Sequence, residues 1–272
     1  MTGAANGLGA AMTEGLLEAG AQVMLADIAE DALADIATRL SNRFGASRVR
    51  ASCVDVTRDT ELESLVPATI DAFGSVDVVI NNAGTGAQIV RPDFISRPLR
   101  SWEVPPDKWR RIVEVNAIAT FVLSRAAIPA MVAQGFGRLI NLTTAWETML
   151  RAGFASYGPS KAMIEAMSAA MASELEATGV TVNTIHPGGP VDTAQVPPDI
   201  GVARDKLLRP AVMVPLVQWL ASDAADAVTG RRLTAAAWRS DRSDAENLDK
   251  ASEPAAWPQL VKPIVMADRG NL

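Results

Sequence analysis

The stretch TGAANGLGAAMTEGLLEAGAQVMLAD, residues 2–27, decides the fold class of this chain. Gly3, Gly7 and Gly9 crowd into one short turn, a helical run from Ala10 to Ala19 follows, and an apolar segment over 21–27 ends in an acid. Glycines let a backbone turn sharply and come close to a pyrophosphate, and the first N–H groups of the next helix then point at the phosphates. A glycine-rich turn before a helix is common, so this feature alone divides evenly between phosphate binding and plain chain geometry. Asp27 tips the balance, because it lies 18 positions beyond Gly9. An acid near that distance accepts hydrogen bonds from an adenosine ribose diol and repels a 2′-phosphate, which favours NAD over NADP. Asp27 also reads as the N-cap of a helix starting near Glu30, and one residue can serve both roles.

The alternation continues along the chain. Helix-like patterns at 29–44, 60–74, 107–133 and 155–178 are separated by strand-like runs at 47–56, 76–84, 137–144 and 179–189. Strands alternating with helices predict a Rossmann-like, doubly wound parallel sheet covered by helices on both faces. No internal repeat or linker breaks the pattern, so residues 1–272 read as one dinucleotide-binding and catalytic domain. Two segments stand apart, an insertion at 85–106 and a polar, Pro-containing extension at 236–272; long connections of this kind are usually lids, subunit contacts or tails.

A glycine turn normally follows a buried strand, and here only Met1 and Thr2 precede it. The reading therefore expects the first strand to be missing. Either the start is placed too late, or another segment, such as part of 236–272, takes the vacant place. Neighbouring strands lie about 4.8 Å apart, so the loss of a central one leaves a gap or forces new pairing.

The remaining composition narrows the function. The 272 residues suffice for a large core, and 49 % hydrophobic with 21 % charged residues is ordinary for a globular enzyme. A net charge of −6 without a Lys/Arg block argues against nucleic acid. Cys53 is the one cysteine, which excludes an intrachain disulfide and fits a reducing, cytoplasmic compartment. No uninterrupted apolar run reaches the roughly 18 residues of a membrane span, and no signal peptide is read at the N-terminus. No His/Cys cluster suggests a metal. His186, the one histidine, reads as a loop residue without a catalytic role, and Met163, Met167 and Met171 follow helical spacing as core or contact residues.

The chemistry centres on Tyr157, the one tyrosine, in SYGPSK, four residues before Lys161. On a helix these positions share a face. An ammonium beside a phenol stabilises the phenolate, and lowering a phenol pKa from about 10 to near 7 takes roughly 4 kcal/mol. Spacing alone favours a surface Tyr–Lys pair on an amphipathic helix.

Six motifs then occur in order: TGAANGLG (2–9), NNAG (81–84), Asn116 in VEVNAIATF, INLTT (140–144), YGPSK (157–161) and NTIHPGG (183–189). Together they resemble the short-chain dehydrogenase/reductase family from residue 2 to about 235. The resemblance implies a pyrophosphate turn of Gly3, Asn6, Gly7, Leu8 and Gly9. It implies Asp27 and Ile28 at the adenosine ribose and Asp55 and Val56 at the adenine. Asn82, Ala83 and Gly84 would border the cofactor, with Pro187, Gly188, Val191 and Thr193 on the nicotinamide side. Tyr157 would be the acid/base, Lys161 would hold the nicotinamide ribose and lower the Tyr157 pKa, and Asn116 would anchor a water of a proton relay.

Three features depart from the family pattern. Thr144 stands 13 residues before the tyrosine, where the family carries serine. Its hydroxyl can donate the same hydrogen bond, but its methyl restricts χ1. The turn PGGPVDT is one residue longer than usual, and TGRRLTAAAW ends the last strand without the common glycines. The expectation is an NAD(H)-dependent oxidoreductase interconverting a secondary alcohol and a carbonyl, homotetrameric or dimeric through helices 107–133 and 155–178. Trp102, Trp146, Glu147, Met149 and Phe154 are expected near the pocket. The alternative is a dinucleotide-binding scaffold or subunit partner with impaired turnover.

Overall fold

The computed structural model describes residues 1–197 and 200–261. Its elements run α1 (Gly7–Glu18), β1 (Val23–Asp27), α2 (Glu30–Phe44), β2 (Val49–Cys53), α3 (Asp59–Phe73), β3 (Val78–Asn81), α4 (Pro106–Val113) and α5 (Ala119–Gln134). They continue with β4 (Gly137–Leu142), α6 (Trp146–Leu150), α7 (Tyr157–Glu174), β5 (Val180–His186), α8 (Val214–Leu220), β6 (Arg231–Thr234), α9 (Asp244–Ala251) and β7 (Ser252–Pro254). The predicted helices and strands are all present, with ends shifted by a few residues.

The strands β3, β4, β5 and β6 pair in parallel, and β7 adds an antiparallel edge. β1 and β2 form a separate parallel pair. Between β1 and β3 lie Met1 to Ala4. Thr2 donates its N–H to the Ile80 carbonyl at 3.2 Å, Ala26 donates to the Met1 carbonyl at 2.9 Å, and Ala4 donates to the Ala26 carbonyl at 3.2 Å. These residues join the two sheets at the carboxyl ends of the strands, where the site lies. Among the described residues no regular strand precedes α1, and β7 sits at the far edge of the sheet rather than in the vacant place. Residues 262–272 of the extension lie outside the described residues.

Side chains of buried strands alternate between two apolar layers. Leu25, Ile80, Ile140 and Ile185 face Met12, Leu17 and Leu216 of α1 and α8. Val79, Leu139 and Val182 face Leu62, Val122, Met131 and Met171 of α3, α5 and α7. The helical stretch 106–134 runs continuously through the π-helical turn at Glu114–Ile118. It is long and apolar enough to cross a membrane by length and composition, and 56 % of its most apolar window is buried inside the protein. Arg125 interrupts the apolar run in sequence but points outward to Glu63, which leaves the helix's apolar face for the core.

The 85–106 insertion has a small core of its own, in which Phe94 and Leu99 pack with Ala87, Val90, Ile95, Val104 and Phe154.

Candidate functional site

The glycine turn is built so tightly that side chains are excluded. Gly3 has φ +62°, and a Cβ there would lie 2.8 Å from Asn82 Nδ2 and 2.9 Å from Ala83 Cα. A Cβ on Gly9 would fall 1.9 Å from the Gly3 carbonyl oxygen. Asn82 Nδ2 donates to the carbonyls of Thr2 and Gly3, both at 2.9 Å, and Thr2 Oγ1 accepts from the N–H groups of Asn82 and Ala83, both at 3.1 Å. This clasp ties the turn to the segment after β3. Asn6 is the N-cap of α1, but its side chain caps no N–H of the first turn. An anion fits such a helix start. Leu8 packs partly into the core, and Gly7 faces the methyl of Thr193. The cradle therefore suits a dinucleotide phosphate.

Asp27 ends β1. Its Oδ2 accepts from Ala5 N–H at 2.9 Å and its Oδ1 from Ala29 N–H at 3.0 Å. The N-cap of α2 is Ala29, so Asp27 closes a turn two residues ahead of the helix instead of capping it. Ile28 beside it is 59 % exposed. At the next strand, Asp55 Oδ1 accepts from the Thr57 N–H at 3.0 Å and the Thr57 hydroxyl at 2.8 Å. Burial pushes the Asp55 carboxyl up, but these bonds and the nearby Arg111 outweigh it and hold it below the usual range. Val56 packs partly against the core.

The chemical residues converge on the carboxyl end of β4. Tyr157 and Lys161 lie on the first turns of α7, one above the other. Burial raises the Tyr157 phenol pKa, and the neighbouring Thr144 hydroxyl opposes that shift. Lys161 Nζ donates to the Leu142 carbonyl at 2.9 Å and lies 5.9 Å from the Tyr157 ring centre. Burial lowers the Lys161 pKa to about 8. The expectation that Lys161 depresses the Tyr157 pKa is therefore modified. Burial dominates at the phenol, Thr144 opposes it, and the ammonium is turned toward Leu142.

Asn116 sits in a π-helical turn, Glu114–Ile118, between α4 and α5. Such widened turns often mark functional positions. Its Nδ2 donates to the Thr85 carbonyl at 2.9 Å and to Ser160 Oγ at 2.8 Å, and its Oδ1 accepts from Thr85 N–H at 2.8 Å. Both amide protons are committed, so the side chain fastens the loop after β3 to α7. A Cβ on Gly84 would lie 3.3 Å from Asn116 Oδ1 and 3.6 Å from Lys161 Nζ. The NNAG segment thus borders both the glycine turn and the Tyr–Lys face.

Pro187 and Gly188 follow β5, with Gly188 at φ +96°. Val191 is buried and pairs with Leu208, and Gln195 Nε2 donates to the Gly84 carbonyl at 2.8 Å. The loop after β5 is therefore tied across the cleft to the loop after β3, a contact no sequence signal announced. Phe154 stands 6.4 Å from the Tyr157 ring and 5.7 Å from Phe94, so the insertion's small core walls the phenol. Of the other expected pocket residues, Met149 is buried, Glu147 is exposed, and Trp102 is 80 % exposed on the insertion.

His186 is corrected from a loop residue to the last residue of β5. Its Nε2 lies 2.8 Å from Thr234 Oγ1, and burial, aided by the charge of Arg232, lowers its pKa to about 3. The pair Arg232 and Glu165 escaped the sequence reading. Their side chains are 1 % and 0 % exposed and form an ion pair beneath Thr144. Two signals pointed there. Glu165 continues the Tyr157–Lys161 spacing by four more residues, and Arg232 lies in the strand whose sequence departs from the family pattern.

Comparison with known proteins places the chain beside a family of similar sequence and fold. A family model described as short chain dehydrogenase matches residues 1–198. A 2,5-dichloro-2,5-cyclohexadiene-1,4-diol dehydrogenase of Sphingobium indicum is 35 % identical over 240 residues, covering 85 % of this chain and 90 % of its own. A 1-deoxy-11-beta-hydroxypentalenate dehydrogenase of Streptomyces exfoliatus is 36 % identical over 197 residues, covering 72 % and 68 %. The crystal structure of a short-chain type dehydrogenase/reductase from Mycobacterium marinum superposes with a TM-score of 0.73 at 26 % identity, covering 84 % of this chain and 89 % of that one.

Proposed function

The chain belongs to the short-chain dehydrogenase/reductase family of oxidoreductases, and within it we propose that it interconverts a secondary alcohol and a carbonyl with NAD(H). One observation carries this reading: half-buried Thr144 and Tyr157 and buried Lys161 stand together beside the Gly84 segment, which connects them to the glycine cradle. The family uses NAD(P), and Asp27 at the end of β1 supports NAD. Gly3, Gly7 and Gly9 would hold its pyrophosphate, Asp27 its adenosine ribose, and Lys161 its nicotinamide ribose. When bound, the nicotinamide supplies the hydride acceptor or donor.

The protein's own part is to hold the substrate oxygen and move one proton. Tyr157 Oη takes the proton of the alcohol in oxidation and returns it in reduction. Thr144 Oγ1, beside the phenol, turns its single O–H to the substrate oxygen and orients it. Lys161, whose ammonium is held by the Leu142 carbonyl 5.9 Å from the phenol ring centre, serves the cofactor ribose rather than the phenol directly. Phe94 and Phe154 exclude water from the phenol on the insertion side. The names of both relatives describe ring alcohols, which supports a cyclic secondary alcohol as the substrate class. Free, exposed Cys53 suits a cytoplasmic setting, and the exposed Ile118, Phe121 and Met163 on the helices α5 and α7 and the turn before α5 suit a homo-oligomer.

The test is a fluorescence titration with NADH and NADPH, followed by NAD-dependent oxidation of a panel of cyclic secondary alcohols. Tighter NADH binding with turnover is expected. NADH binding without turnover of any alcohol or ketone in the panel would instead support a dinucleotide-binding scaffold.

A further inference from the structure

Beneath the loop after β4 lies a group of charged side chains that the proposed reaction does not use directly. Arg232 on β6 reaches up from the sheet and divides its donors three ways. Nη1 pairs with buried Glu165 of α7, Nη2 donates to the Thr144 carbonyl at 2.7 Å, and Nε donates to Glu253 of β7 at 3.1 Å. The guanidinium also stacks 4.0 Å from the ring centre of Trp146, whose Nε1 donates to the same Glu253 oxygen at 2.9 Å. Glu165 is filled in turn by Thr184 Oγ1 at 3.2 Å and by the Ala256 N–H at 3.3 Å. Ala256 adopts φ +58°, a region that disfavours a residue with a Cβ, and its N–H reaches the carboxylate in that conformation.

A buried ion pair is weak evidence for stability, because desolvation opposes the attraction and an apolar replacement is often as stable. The geometry points to a different service. The same loop is gripped at Thr144 and again at Trp146, on either side of Ala145. Serine could correct a small backbone error by rotating its hydroxyl, whereas threonine is restricted at χ1. A threonine in this position therefore needs its backbone fixed.

We propose that Arg232 and Glu165 are positioning residues that fix the backbone of Thr144 so that its hydroxyl meets Tyr157, with Glu253 of the C-terminal segment completing the hold. The proposal rests on Thr144 being the hydroxyl that works beside Tyr157.

Because the chain has a single tyrosine, protein labelled with ¹³Cζ-tyrosine gives one resonance, and its shift at neutral pH reports the hydrogen bond to that phenol. The variants are Thr144→Val, the pair Arg232→Met/Glu165→Gln (which leaves no lone buried charge), and the three changes combined. Melting temperature and NADH affinity serve as controls on the fold. The pair should move the resonance in the same direction as Thr144→Val, and the triple variant should move it no further than Thr144→Val does. A resonance unmoved by the pair, or shifts that add in the triple variant, would overturn the proposal. A resonance unmoved by Thr144→Val would overturn the underlying reading of Thr144 itself. If the pair does not fold, Arg232→Lys decides by the same criteria, since it retains a charge against Glu165 but loses the fork.

Discussion

Replacing Gly9 by alanine tests the cradle most directly. The new Cβ would lie 1.9 Å from the Gly3 carbonyl oxygen, where ordinary contact begins at 3.4 Å, so one backbone must retreat by about 1.5 Å. The atom in the way is main chain and cannot rotate aside. Overpacking of this kind costs roughly 1–3 kcal/mol. The retreat also strains the Asn82 bond to the Gly3 carbonyl, for about 1 kcal/mol more. Alanine returns about 1 kcal/mol through its helix propensity. The net is a loss of about 1–3 kcal/mol, or roughly 2–12 °C in melting temperature for a chain of this size. Thermal unfolding followed by circular dichroism, with NADH titration on the folded variant, reads both effects. A melting point within a degree of the parent, with NADH affinity unchanged, would refute the argument that the turn leaves no space for a side chain.

Three further outcomes follow from the same geometry. Tyr157→Phe should lower turnover by about 10²–10⁴-fold while NADH affinity stays within about twofold, and a variant that turns over at the parental rate removes Tyr157 from its role. Asp27→Ala should weaken NADH binding by about tenfold and erode the preference over NADPH; an unchanged preference would leave Asp27 as a turn residue only. His186 is neutral in the folded protein down to about pH 3, whereas the unfolded chain protonates it near 6.5. The unfolded state thus binds the extra proton between those values, and stability falls as pH is lowered through that window, by an amount on the order of a few kcal/mol at its foot. His186→Gln should flatten that acid limb in urea melts between pH 3 and 6.5, and an unaltered slope would contradict the assignment.

Local rules carried far in this chain. Periodicity found the strands and helices because buried parallel strands and two-sided helices leave continuous apolar runs, as in β4 and β5. The glycine turn and the Tyr157–Lys161 spacing were legible because each depends on residues close together in sequence. What escaped depends on contacts between distant segments. Gln195 reaches Gly84 across 111 positions, and Arg232 gathers Glu165, Thr144 and Glu253 from three different elements. The edge strand β7 is three residues long, too short for any periodicity, and is set by its register against β6. The direction of the Tyr157 pKa also escaped, because burial is a property of the packed neighbourhood and not of the motif.

The insertion's separate core has an implication for how the protein can change over time. Phe94, Leu99 and Ala87 are buried among one another and a few neighbours, apart from the two layers that flank the sheet. Mutations there draw on a small local stability and leave the nucleotide half almost untouched. Phe154 carries that module's contact to the Tyr157 ring, and Gly86 of the insertion borders the same ring. The wall beside Tyr157 and the scaffold beneath it are thus free to drift at different rates, so a lineage could reshape that wall by rewriting much of residues 85–106 while the glycine turn stands still.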